Sequence, residues 1–88
     1  MKRSYNEILA ERITSLVKAK GISINGLASM SGLRQSTVDS ILKRRSNNPK
    51  IQTLHKIAIA LNMTLAEFFD FPELNEYSFE EDNSEQSD

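Results

Sequence analysis

Cysteine is absent from this 88-residue chain. That excludes disulfide staples, thiolate metal sites and thiol nucleophiles together, and it agrees with a reducing, cytoplasmic setting. No apolar run approaches the roughly 18 to 20 residues of a membrane span. The polar opening stretch, residues 1–6, has no apolar signal core behind it, so the chain reads as soluble and unprocessed, with no membrane partner. No Gly-rich loop precedes a helix in a phosphate-cradling or dinucleotide pattern. The single histidine, His55, lies between Leu54 and Lys56 with no sulfur co-ligand, and the carboxylates before residue 71 are scattered. An enzyme reading therefore has no catalytic or metal constellation to rest on, and no cofactor is expected. Glu80, Glu81 and Asp82 read as a solvated acidic run rather than a cation chelate. A chain this short buries only about 60% of the surface its unfolded form exposes, so one compact core must carry it.

Charge is present in both signs, but it is not mixed. All eleven Lys and Arg fall in residues 1–70 beside only five acids, Glu7, Glu11, Asp39, Glu67 and Asp70, giving that body a charge of +6. Residues 71–88 hold seven acids and no base, giving −7, so the formal net charge of −1 conceals a basic domain with an acidic tail.

The pattern is all-α, since no run alternates in the manner of a strand. Ser4 and Glu7 form a capping-box signature, opening a first helix in which Tyr5, Leu9, Ile13, Leu16 and Val17 recur at helical spacing, with Gly21 as its stop. Ser23 is the next N-cap, for a short helix with Ile24, Leu27 and Ala28 on one stripe, weakened by Gly26 and ending near Met30. Gly32 supplies a turn that tolerates a left-handed backbone. A third helix over residues 34–43 has a narrow apolar edge of Val38, Ile41 and Leu42 and an otherwise polar outer face. Residues 44–50 are a basic loop in which Pro49 disfavours helix at Asn48. The fourth helix buries Ile51, Leu54, Ile57, Ala58 and Leu61 and stops at Asn62. Thr64 with Glu67 caps a short fifth helix whose Leu65, Phe68 and Phe69 form a lid over the core, and Pro72 ends it. The domain is thus drawn over residues 1–72, and the acidic tail, residues 73–88, is predicted to be disordered.

At Leu27, Ala28, Gly32, Val38 and Ile41, then Leu54, Ile57, Ala58 and Leu61, the sequence resembles the Cro/cI-like (XRE-type) helix-turn-helix regulators, over roughly residues 8–69. The resemblance implies a compact five-helix, lambda-repressor-like DNA-binding domain with its helix-turn-helix at about residues 23–43. Two short helices crossing steeply need a small contact residue and a turn permitting positive φ, which Ala28 and Gly32 supply. Val38 then plugs the following helix into the core.

By the same resemblance, the helix at 34–43 enters the major groove of double-stranded DNA. Gln35, Ser36 and Ser40 match positions that reach bases, with Asp39 beside them, and Gln35 suits adenine N6 and N7. Asp39 needs a cytosine amino donor or a neighbouring base such as Lys43. Arg34 stands where a Ser or Thr N-cap is common, and is available to guanine or phosphate instead. Phosphate contacts are assigned to Ser23, Lys43, Arg44, Arg45, Asn47, Asn48 and Lys50. Ile24 replaces a frequent Gln after the N-cap, which leaves Ser23 and backbone amides there. The helix, lacking a glycine at its end, is expected to run a residue or two longer. The implied protein is a bacterial or phage-encoded, cytoplasmic, nucleoid-associated transcriptional regulator, a repressor by family habit, binding a palindromic operator as a homodimer. Phe71, Leu74, Tyr77 and Phe79 are the candidate dimer residues. The rival reading is a protein-interaction module on the same scaffold. The basic loop beside a polar helix face favours DNA, because a protein-binding face would expose aromatics or Met there.

Overall fold

The structure, a computed structural model, describes residues 4–43 and 48–79. Six helices and no strand occur among the described residues: α1 (Tyr5–Lys20), α2 (Ile24–Ser31), α3 (Gln35–Leu42), α4 (Ile51–Ala60), α5 (Leu65–Phe69) and α6 (Pro72–Asn75). Their limits follow local chemistry. The Ser4 hydroxyl accepts from the Glu7 amide at 3.2 Å while the Glu7 carboxylate accepts from the Ser4 amide at 3.0 Å. Thr64 and Glu67 repeat the exchange at 3.0 and 2.9 Å. Each box satisfies amides that the first turn of a helix cannot pair internally. Asn62, at φ +63°, turns the chain after α4, and Met63 donates to the Ala58 carbonyl at 2.9 Å.

A single core joins five of these helices: Leu9, Ile13 and Val17 from α1, Leu27 and Ala28 from α2, Val38 and Ile41 from α3, then Leu54, Ile57, Ala58, Leu61 and Phe68. Helices of five to ten residues are marginal alone, so this shared burial is what makes them helical. Packing runs α1 on α3, α2 on both α3 and α4, α4 on α5, and α6 on α1. Phe68 is sealed, whereas Leu65 and Phe69 are half-buried at the rim.

Three expectations change. Ile51 is 59% exposed and belongs to no core face. As the first residue of α4, it precedes the turn at which that helix meets its neighbours. Six helices replace five, because Pro72 starts a helix as well as following one: its fixed φ suits the first helical position, where a missing N–H is no loss. The boundary read at residue 72 therefore falls at the opening of α6, and described structure continues to Phe79; residues 80–88 lie outside the described residues. Phe71 is buried beneath α1, so it completes the packing instead of offering a dimer contact.

Arg12, given no role by the sequence pattern, links α1 to the end of α5. Its Nε donates to the Phe68 carbonyl at 3.0 Å and its Nη2 to the Glu67 carbonyl at 2.9 Å. The guanidinium carbon stands 4.7 Å from the centroid of the Phe71 ring. The last carbonyls of a helix lack internal partners and carry partial negative charge, so a forked cation is a fitting terminal cap. Arg12→Ala is expected to lower the unfolding free energy by about 2 kcal/mol, the scale of hydrogen bonds from a charged donor. Arg12→Lys should recover less than half, since an ammonium cannot reproduce the planar fork. Urea titration of the three proteins checks both; full recovery by Lys would refute the forked cap.

Candidate nucleic-acid interface

The segment from Ser23 to Lys43 is built to hold one helix rigidly with its polar side outward. Ser23 caps α2, accepting from the Gly26 amide at 2.9 Å. Gly26 has a use that its low helix propensity conceals: a Cβ there would stand 3.1 Å from the Ser23 hydroxyl and 3.3 Å from Ile22. At the other end the Ser31 hydroxyl donates back to the Leu27 carbonyl at 2.7 Å, and Gly32 takes φ +72°. Leu33 then donates to the Ala28 carbonyl at 3.0 Å and rests half-buried on the core. A residue with a Cβ pays for that left-handed turn, and glycine does not. Only Gly32, Leu33 and Arg34 separate α2 from α3.

Across α3, Val38 has no exposed surface and Ile41 very little, which sets the rotation of the helix about its axis. Gln35 and Ser36 consequently stand exposed in the first turn, with Arg34 exposed just before them. Asp39 and Ser40, one turn on, are half-buried, and Lys43 is exposed. Lys43 is already the C-cap, so α3 ends at Leu42 and does not extend as the missing glycine suggested. Thr37 is half-buried. Arg44, Arg45 and Asn47 lie outside the described residues.

One functional candidate escaped sequence reasoning. Thr37 and Ser40 of α3 meet Asn48, Pro49, Lys50 and Thr53 around an open recess of about 460 Å³, floored in part by Ile41. The sequence offered Thr37 at most a thymine contact through its methyl and gave Thr53 none, because only the fold brings the two helices to one recess. The N-caps of α3 and α4 are Arg34, already read from the sequence in place of a Ser or Thr cap, and Lys50, and neither makes a side-chain capping bond. By contrast, α1, α2 and α5 are capped by Ser4, Ser23 and Thr64. His55 is exposed, and among the described residues no three His, Cys, Asp or Glu side chains stand together as a metal site. No helix among them is long and apolar enough to cross a membrane.

Residues 12–73 match the family model of the Cro/C1-type HTH DNA-binding domain. This chain belongs to that family. Its domain is a DNA-binding one, not a catalytic one. It is similar to the HTH-type transcriptional regulator SinR of Bacillus subtilis, at 31% identity over 70 residues, which cover 80% of this chain and 63% of SinR. The HTH-type transcriptional regulator SlrR of the same organism is 42% identical over 53 residues, covering 60% of this chain and 35% of SlrR. The chain thus spans less than two thirds of these relatives' lengths. The crystal structure of the prophage Lp1 protein 11 superposes with a TM-score of 0.77 at 35% identity, covering 85% of this chain and 99% of that one.

The uncapped start of α3 makes an opposed pair of expectations. Arg34→Ser should raise the unfolding free energy by about 1 kcal/mol by supplying the missing cap. It should at the same time weaken binding to duplex DNA, because it removes a cation from the exposed end of the helix. Thermal melting and duplex titration of the variant check the two effects, and an unchanged or lowered stability would mean that the α3 terminus is already satisfied.

Proposed function

We propose that this domain is the DNA-reading part of a sequence-specific transcriptional regulator, a repressor, which lays α3 in the major groove. The observation carrying this reading is the outward polar turn of α3, held in one rotation by Val38 and Ile41 and bordered by the basic N-caps Arg34 and Lys50. SinR and SlrR, to which the chain is similar, are transcriptional regulators, and that supports the reading.

In this reading Gln35 and Ser36 take the base edges, since they are the exposed residues of the first turn. Gln35 pairs with adenine through N6 and N7. Asp39 and Ser40, less exposed, read bases only at the margin of the contact, and Arg34 serves guanine or the adjoining phosphate. Ser23 and the α2 amides hold a phosphate on one side. On the other, Lys43, Asn48 and Lys50 hold the backbone together with the sequence-assigned Arg44, Arg45 and Asn47. The hydroxyls of Thr37 and Thr53 add donors in the recess beside Lys50. Two copies on a palindromic operator place their α3 helices about 34–36 Å apart, and occupancy excludes polymerase.

A second reading, a protein-interaction module, draws support from Met30, Ile51 and Ile59, which are largely exposed. Titration of labelled random duplex at several salt concentrations separates the two. Displacement of counterions from six to ten phosphates makes affinity fall about 10³- to 10⁵-fold between 50 and 200 mM salt. A flat response would discard the DNA reading in favour of the protein one. Selection of bound sites from a random pool then identifies the operator. Gln35→Ala should relax preference at one base position, whereas Lys50→Ala should weaken all duplexes alike; an unaltered preference in the Gln35 variant would remove it from the readout.

A further inference from the structure

Charge in this chain is sorted by place as well as by sequence. Between residues 34 and 56 six Lys and Arg accompany one acid, Asp39. From residue 57 onward there is no base: α5 and α6 with their surroundings carry Glu67, Asp70, Glu73 and Glu76, and residues 80–88 add Glu80, Glu81, Asp82, Glu85 and Asp88 with no apolar residue among them. A segment of that composition has nothing to bury, and its attraction is toward cations. The fold decides which cations are in range.

The described residues end at Phe79, which is placed against the start of α1: Tyr5 stands 5.2 Å from Tyr77 and 5.6 Å from Phe79 between ring centroids. Farther along α1, Ala10, Glu11, Thr14 and Lys18 border one open groove with Leu42, the last residue of α3. At 1.5 Å per helical residue, that stretch of α1 lies about 8–20 Å from Tyr5. Nine residues span up to about 30 Å when extended, so residues 80–88 have the length to reach the C-terminal end of α3. Within the groove Glu11 and Lys18 offset each other in charge. Beyond it Lys43, the C-cap of α3, is exposed, and exposed Lys50 borders the recess that Ser40 shares with Asn48. Glu73 and Glu76, close by in sequence, repel the segment, so the end of α3 is the favourable surface.

Given the DNA reading of α3, on which this rests, we propose that residues 80–88 are an internal competitor for DNA, lying against Lys43 and Lys50 in the free protein and giving way to the phosphate backbone on binding. Carboxylates on a short tether act at an effective concentration in the millimolar range, enough to engage cations that a free peptide would leave to solvent. Duplex displaces them because it presents a denser line of charge, one per about 1.7 Å. The contact reads no base, so it weakens every duplex alike and leaves sequence preference to α3. Its effect is greatest at low salt, which makes binding less steeply salt-dependent than a bare basic face would be.

A chain without cysteine accepts a single nitroxide spin label, at Ser87→Cys. In the isotopically enriched, spin-labelled chain at about 50 mM salt, the amide signals of Lys43, Asn48 and Lys50 should broaden more than those of Ala66 and Asp70. The difference should vanish on adding duplex, and at about 500 mM salt, where the Debye length falls to about 4 Å. Broadening that ignores salt, or that spares Lys43 and Lys50, would overturn the contact. Broadening in a mixture of spin-labelled and separately enriched chains would assign it to a second copy and overturn an internal competitor. Glu80→Gln, Glu81→Gln, Asp82→Asn and Glu85→Gln together should tighten binding of random duplex about tenfold at about 50 mM salt, the gain falling below about twofold at about 200 mM. Equal affinity of the two chains would remove the competitor and leave the DNA reading standing. A neutralised chain that binds no duplex would remove the DNA reading itself, and the competitor with it.

Discussion

Val38 is the pivot on which the outer face of α3 depends. It is wholly enclosed, and an eight-residue helix has few other means of fixing its rotation. Rotating α3 by one residue, about 100°, would expose Val38 and bury a polar neighbour, exchanging a favourable burial of about 1.5–3 kcal/mol for an unpaired polar group. The geometry upstream serves this constraint. Ala28 is small and buried, so α2 and α3 approach closely, and Gly32 at φ +72° reverses the chain within three residues. The position of Gln35 and Ser36 is then a consequence of packing among residues that touch no ligand.

The other end of the core is closed differently. Phe68 plugs it from α5, but a helix of only five residues is a poor lid unless something holds it. Arg12 supplies the hold, from a helix far away in sequence, by serving two carbonyls of α5 at once and lying over Phe71. A lysine would offer charge without the fork. The family match opens at Arg12 and closes just past Phe71, so the lid and its fastening fall within the matched segment.

Most of this architecture is written in local signals. The two capping boxes are spelled in neighbouring residues, Ser4 with Glu7 and Thr64 with Glu67, and need no tertiary knowledge. Gly21 and Gly32 mark their left-handed turns for the same reason. The interior periodicity of α1 and α4 follows from 3.6 residues per turn. The illegible parts are those where meaning comes from a distant partner. Arg12 pairs with backbone carbonyls, which have no residue identity to recognise. Ile51 keeps the helical period but stands at a helix start that does not yet face the core. Pro72 stops one helix and begins another, and sequence alone favoured the first role. Thr53, for which the sequence offers no contact, shares a recess with Thr37 only because α3 and α4 frame it together.

The distribution of N-caps sharpens the functional argument. Ser or Thr caps α1, α2 and α5, while α3 and α4 have the cations Arg34 and Lys50 at the corresponding positions and α6 has Phe71. A cation at a helix N-terminus opposes the helix dipole and leaves amides without a side-chain acceptor, so neither substitution helps an isolated domain. Both become favourable beside an anion that accepts from the amides and pairs with the cation. In the proposed complex, stability withheld from the free protein is in this way returned on binding. A surface meant for an apolar protein partner has no need of that arrangement. On this argument the affinity of the proposed complex resides mainly at the helix ends, and the short side chains of Ser36 and Ser40 are left to refine a register that those ends have already set.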